Sequence, residues 1–291
     1  MGRRGRGPPP ARPPRGGAHG PRRLGGAGDR GPRRGRRVGP PVGAARAGAR
    51  AVEGGRVIAL GIDTSTNATS VALGADRRIL AAVQFEGARK QDHVVAAVQE
   101  VLGWTGVELS SVGGIAVGLG PGLYTGLRVG VMAAKSLAQV LHLPIVGLAS
   151  LDVLAFGVRF TRRLICAVLD ARRGEVFFAA YRSVPGGVMR EGDYRVGPPE
   201  ALAAEVEALR EDVLLVGNGA ILYRHELERP GVGIEFASAA LAHPWASALV
   251  ELAAPRFLRE ETDRLVDVVP LYLRKTDAEI AWDQRARGAS A

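Results

Sequence analysis

Between Val57 and Leu148 the chain reads as three strands, a helix, a strand, a helix and a strand, and from Leu164 to Leu227 much of that order returns. Val57–Asp63 (VIALGID) is an apolar run that stops at a polar loop, the pattern of a buried strand. Thr69–Gly74 and Arg78–Phe85 follow as two more strands. Val94, Val95, Val98, Val101 and Leu102 then mark one face of a helix, with Gln91 or Asp92 as its candidate cap. Gly114–Gly118 is a strand, Leu127–Leu141 a helix and Pro144–Leu148 a strand, and another helix starts near Ser150. The second stretch offers strands at Leu164–Leu169, Val176–Tyr181 and Val188–Val196, a helix at Pro198–Leu209, a strand at Val213–Val216 and a helix at Ile221–Leu227. Trp245–Leu258 is a closing helix interrupted by Pro255, and Val268–Arg274 an extended tail. Two like units of about one hundred residues point to an internal duplication. Strands alternating with helices make each unit a layered α/β domain, and two such units side by side leave a cleft where ligands sit. The expected organisation is a tail at 1–55, a first domain at 56–157 and a second at 158–291.

Charge separates the tail from the rest. The whole chain has 39 Lys and Arg against 29 Asp and Glu. The first fifty residues hold 14 Arg, no Lys and one acid, together with 14 Gly and 9 Pro, which leaves 25 basic against 28 acidic residues beyond them. The folded part is therefore slightly acidic, which removes the simplest argument for a nucleic-acid-binding core. Residues 1–55 hold too little apolar surface to offset their chain entropy and are expected to be disordered. The tail reads either as an RNA-binding arm, since Arg-Gly segments track phosphates, or as translation from a misplaced start. One cysteine, Cys166, rules out a disulfide framework and a thiolate-based metal cluster. No apolar run is long enough for a membrane span, and a reducing, cytoplasmic setting is expected.

Three loops carry candidate chemistry. Asp63-Thr64-Ser65-Thr66-Asn67 follows the first strand, and its hydroxyls and amides suit either a phosphate or a turn that caps the strand. An aspartic-protease reading needs a second such carboxylate loop, and the chain has none. Gly118–Gly130 (GLGPGLYTGLRVG) joins a strand to a helix. Its glycines Gly120, Gly122 and Gly126 permit close backbone approach, Thr125 is the candidate N-cap, and Tyr124 with Val129 the candidate staple. An anion at the helix start, near Arg128, and a plain tight turn are both open readings. No Gly-Lys-Ser/Thr follows, so this is not a Walker loop. Gly217-Asn218-Gly219-Ala220 either supports an adenine-type ligand or turns the chain. Asp170-Ala171-Arg172-Arg173-Gly174 occupies in the second unit the place of Asp63-Thr64-Ser65 in the first; a basic turn there argues against a working kinase or ATPase cleft.

Leu127, Val131, Ala134, Ala138 and Leu141 form one apolar helix face, rich in small residues. That face reads as core or, together with Val94, Val98 and Val101, as an intersubunit bundle. The five histidines, His19, His93, His142, His225 and His243, include no pair three or four apart, so no helix offers a metal-ligand pair. Cys166 lies in an expected buried strand and reads as packing. No Gly-x-Ser-x-Gly elbow is present.

Gly61–Thr66 (GIDTST), Gly118–Gly130, Asp170–Val176 (DARRGEV), Val216–Ala220 (VGNGA) and Pro270–Arg274 (PLYLR) together resemble the TsaB (YeaZ) family. The resemblance covers Val57 to Lys275. It implies a duplicated two-domain actin-like ATPase fold, of the RNase H-like class, and a role in making threonylcarbamoyladenosine in tRNA beside the anticodon. It also implies a noncatalytic subunit that pairs with a TsaD-like transferase, works with a TsaE-like ATPase and meets tRNA through the complex. On that reading Asp63, Thr64, Ser65, Gly120, Gly122, Thr125, Gly126, Gly217 and Gly219 are remnant phosphate or nucleotide loops. Val94, Val98, Val101, Leu127, Val131, Ala134, Ala138 and Leu141 would face the partner. No cofactor or metal is expected, with weak ATP or ADP binding left open, and a homodimer in the partner's absence is allowed. The TsaD paralogue carries a His-x-x-x-His metal motif; the aligned segment here, Gly147–Ala155, has no histidine. The competing readings are an actin-like small-molecule kinase and an M22-type metallopeptidase-like protein. The arginine-rich tail and Tyr124, where Phe is common, depart from the family pattern.

Overall fold

The computed structural model describes residues 57–75, 78–87, 90–228 and 233–274. The tail expected to be disordered lies outside them. Among the described residues ten strands form two five-stranded sheets. The first contains β1 (Ile58–Asp63), β2 (Ala68–Ala75), β3 (Arg78–Glu86), β4 (Gly114–Gly118) and β5 (Ile145–Leu148) in the order β3-β2-β1-β4-β5. β1, β2 and β3 pair antiparallel, while β4 and β5 add on parallel to β1. The second contains β6 (Leu164–Arg172), β7 (Glu175–Val184), β8 (Gly187–Gly197), β9 (Val213–Val216) and β10 (Ile234–Phe236) in the order β10-β9-β6-β7-β8, with the same directions. The same topology twice is the duplicated α/β fold read from the sequence. The three-residue β10, too short to leave a period in the sequence, was not anticipated.

Helices cover both faces of each sheet. On one face of the first sheet lie α1 (Lys90–Thr105) and α2 (Tyr124–Leu141); on the other lies α7 (Ala246–Leu258). β1 is buried between them, which is why its sequence is apolar at nearly every position. On the second sheet, α4 (Pro199–Leu209) and the short helices α5 (Asn218–Leu222) and α6 (Arg224–Leu227) pack on one face. α3 (Ser150–Gly157) packs on the other face, through Leu151, Leu154 and Ala155 against Ile165, Leu169 and Tyr181. α3 thus belongs with the second sheet, while α7, from late in the chain, returns to the first. The two helices touch at the seam between the lobes.

Several local expectations are corrected. The stretch Ile221–Leu227 is two short helices rather than one. Pro255 does not interrupt α7, which runs on to Leu258; Pro255 sits near its end, and Phe257 beyond it is buried. α1 begins at Lys90, so Gln91 and Asp92 lie in its first turn. α2 begins at Tyr124 with Leu123 at its N-cap, so Thr125 caps nothing. The Leu123 N–H is satisfied instead by Ser65 O at 2.7 Å. Tyr124 does not staple to Val129; its exposed ring lies 5.4 Å from that of Tyr272, under the Arg128 guanidinium.

Residues 261–274 strap the two lobes. Asp263 N–H donates to Ile145 O at 2.9 Å, and Gly147 N–H donates to Asp263 Oδ2 at 2.8 Å, which covers the β5 edge of the first sheet. Leu271 N–H then donates to Leu119 O at 2.7 Å, and Arg274 pairs with Glu175 of the second lobe at 2.7 Å.

Candidate functional site

The Asp63 loop and the glycine loop meet at the ends of β1 and β4. Ser65 gives both its N–H (2.9 Å) and its Oγ–H (2.7 Å) to Asp63 Oδ1, and Ser150 Oγ–H donates to Asp63 Oδ2 at 2.7 Å. Ser150 Oγ accepts from Gly120 N–H at 3.2 Å, while Ser150 N–H donates to Gly120 O at 2.7 Å. Thr64 Oγ–H donates to Gly126 O at 2.6 Å. The cluster is dry: Asp63, Thr64, Ser65 and Ser150 are 2%, 1%, 0% and 0% exposed. A Cβ at Gly122 would overlap Ser65 O, and one at Gly118 would overlap the Asp63 carboxylate. Glycine is needed here for close approach between two segments of this chain. Thr125, exposed, stands at the rim. Asp63, Thr64, Ser65, Gly120, Gly122 and Gly126 are therefore gathered into one cluster, bonded to one another.

Gly217 and Gly219 are elsewhere. They follow β9 in the second lobe and press against β6 at Val168 and at Leu169–Asp170. The turn that mirrors the Asp63 loop is also self-satisfied. Asp170 accepts from Arg172 N–H at 2.8 Å and from Tyr223 O–H at 3.4 Å, and pairs with the Arg172 guanidinium at 3.2 Å. Burial, with the Asp170 carboxylate beside it, holds the Tyr223 phenol above its ordinary range. Burial pushes the Cys166 thiol up to about 12, so this cysteine is no nucleophile at neutral pH. Among the described residues no group of three His, Cys, Asp or Glu could hold a metal, and no helix is long and apolar enough to cross a membrane.

The helix face expected at a partner is turned inward. Val94, Val98, Val101, Leu127, Val131, Ala134 and Ala138 are buried in the chain's own core, and Leu141 is half-buried. The small and β-branched residues of the two helices fit the pleated surface of Leu60, Ile62, Val71 and Ile115 beneath them. The outward side is a different row: Tyr124, Arg128, Met132, Ser136 and Val140 recur every four residues along α2, all exposed. Met132 and Val140 are 60% and 75% exposed, and on α1 Val95 and Trp104 are 60% and 62% exposed. Arg128 is fixed at one end of the row, over the Tyr124 ring at 4.0 Å and donating to Tyr272 Oη at 3.0 Å; this bond raises its already high pKa.

The duplicated topology, the two aspartate corners and the outward row can be set against known proteins. A family model described as TsaD: tRNA N6-adenosine threonylcarbamoyltransferase matches residues 88–282. A Bacillus subtilis protein named tRNA threonylcarbamoyladenosine biosynthesis protein TsaB is 32% identical over 232 residues, covering 77% of this chain and 96% of its own. The chain belongs to the TsaB (YeaZ) family. The TsaB protein of Escherichia coli is 29% identical over the same share of this chain and 96% of its own. A solved structure, YeaZ from Pseudomonas aeruginosa, superposes with a TM-score of 0.64 at 30% identity, covering 75% of this chain and all of that one.

Proposed function

We propose that this TsaB-family chain is a noncatalytic subunit of the machinery that forms threonylcarbamoyladenosine in tRNA, and that it pairs with a TsaD-like transferase. The observation that carries the pairing is the outward row of α1 and α2. Monomeric proteins scatter exposed apolar residues singly; here Met132 and Val140 share one helix row with a Tyr-Arg-Tyr stack fixed at its end, and Trp104 is exposed on the neighbouring helix. Aromatic residues, Met and Arg are the side chains that interfaces favour. The partner face is thus the outward side of the helices, opposite to the face expected from the sequence.

The noncatalytic reading rests on the two aspartate corners. A phosphate-binding loop keeps amides and hydroxyls free to point at the ligand. In the Asp63 loop the Ser65 N–H and hydroxyl go to Asp63 and the Thr64 hydroxyl goes to Gly126, and the Asp170 corner holds its own arginine. ATP or ADP would have to open one of these corners, so titration with either is expected to show no saturation below about 1 mM. A TsaE-like ATPase and tRNA enter through the assembled complex.

Size-exclusion chromatography with light scattering on the full chain, alone and with the TsaD-like transferase of the same cell, tests the pairing. A new peak at the summed mass is expected, lost in a Met132→Glu/Val140→Glu variant that keeps its circular dichroism and melting temperature. Two separate peaks for the unmodified chains would end this reading.

A further inference from the structure

We propose that the cavity at the seam between the lobes binds a small zwitterion, a free α-amino acid with an apolar side chain. The cavity lies between α3 and the start of α7 and measures about 210 Å³. At about 30 Å³ per water it has room for several, enough for a small organic molecule.

Its walls divide by chemistry. Val153 and neighbouring aliphatic side chains line one part. The Trp245 indole is fixed there, because its Nε1–H already donates to Ala240 O at 2.9 Å, and it offers only an apolar face. Arg159 and Glu251 form the charged part, with their nitrogen and oxygen 3.2 Å apart. Arg159 is held in place by its stacking on Phe156 at 3.8 Å and a 2.9 Å bond from Nη1 to Phe156 O. The third polar group is His243, only 8% exposed. Its Nε2 faces Glu86 Oε1 at 2.9 Å, and a carboxylate only accepts, so Nε2 carries the proton. Its Nδ1 is sealed away from the cavity and makes no hydrogen bond among the described residues, so His243 contributes wall rather than a contact.

This arrangement selects for both charges at once. A simple anion would gain Arg159 and meet Glu251; a simple cation would gain Glu251 and meet Arg159. A molecule with an ammonium beside a carboxylate satisfies both. Its carboxylate takes the guanidinium N–H groups, and its ammonium donates to Glu251. The Arg159–Glu251 pair is partly exposed and contributes little by itself, so inserting a ligand between its members costs little. The aliphatic wall and the indole favour a branched apolar side chain, and leucine is the probe of that size. The site lies away from the outward row of α1 and α2, so it is independent of the proposed pairing.

Calorimetric titration of the full chain with L-leucine, isoamylamine and 4-methylpentanoate tests the proposal, because the two analogues each lack one charge. Saturable leucine binding is expected, with each analogue weaker by about tenfold or more. Glu251→Gln, whose fold is checked by its melting temperature, is expected to weaken leucine by a similar factor. Should that variant misfold, the analogue comparison on the unmodified protein still decides. No saturation with leucine up to about 20 mM, or three equal isotherms, would overturn the assignment and leave the cavity to water.

Discussion

The two lobes bring their central strands, β1 and β6, to an aspartate at the same structural corner, and they satisfy it in opposite ways. Asp63 is met by three neutral donors from two places: the N–H and hydroxyl of Ser65 in its own turn, and the hydroxyl of distant Ser150. Those donors tie β1, the glycine loop and α3 into one dry cluster. Asp170 is met chiefly by its own turn, with the Tyr223 hydroxyl further off at 3.4 Å, and it pairs with Arg172, whose side chain is 58% exposed. The carboxylate was kept in both copies while its surroundings diverged. In the first lobe it became a weld between distant segments; in the second it anchors a local turn whose arginine stays in water. Each carboxylate has one distant donor, and the one bonded at 2.7 Å to a fully buried hydroxyl should cost more to remove than the one whose distant phenol lies at 3.4 Å.

The largest expected effect lies in the first lobe's core. Ala134 is 0% exposed beneath α2, so Ala134→Arg buries an unpaired charge at a cost of several kcal/mol. Near-ultraviolet circular dichroism should show no native packing. Ser136→Arg, two residues on and exposed, should stay within about 0.5 kcal/mol of the parent. A folded Ala134→Arg protein would mean that α2 presents the other face.

The corners come next. Asp63→Ala strands three donors in a dry site and should cost roughly 3–5 kcal/mol by urea denaturation. Asp170→Ala leaves a turn amide, a distant phenol and a hydratable arginine, and should cost about 1–2 kcal/mol. Equal losses would break the contrast between weld and local turn. A larger loss at Asp170 would reverse it.

Much of this architecture is legible locally, and the reasons for success and failure differ by residue. Gly114–Gly118 and Val213–Val216 coincide with β4 and β9 because a short apolar run between turn residues fits only a buried strand. The weld was half-visible. The residue types of both loops were plain, but Ser150 lies 87 positions from Asp63, and no local pattern pairs them. The residues expected at a partner turned out to be core for a related reason. Ala134 and Ala138 mark an apolar stripe, and a stripe does not say whether a sheet or another chain covers it. The outward row was readable only as the four-residue spacing of Tyr124, Arg128, Met132 and Val140, diluted by Ser136. The seam cavity had no signal in sequence, since Arg159, His243 and Glu251 come from three separate segments.

The smallest expected effect is specific to the second lobe, where burial raises an ionisable group that the first lobe lacks. Cys166 packs on the α4 side of the second sheet, and burial pushes its thiol from its ordinary range up to about 12. The unfolded chain therefore loses this proton first. The stabilisation is complete below about pH 9 and is lost as pH rises towards about 12. By pH 10 the difference is about 1 kcal/mol. Burial together with the Asp152 carboxylate also raises the phenols of Tyr181 and Tyr194, which strengthens the same trend above their ordinary range. Cys166→Ala should therefore lower stability at pH 8 through lost packing and flatten the fall between pH 8 and 10 by about 1 kcal/mol. The native thiol should also react with a disulfide reagent only as fast as the second lobe opens. If labelling is fast while the first lobe's amides remain protected from exchange, the lobes open separately, and the weld at Asp63 stabilises one lobe alone. If labelling and amide exchange share one rate, α3 and α7 hold the seam closed, and the weld stabilises both.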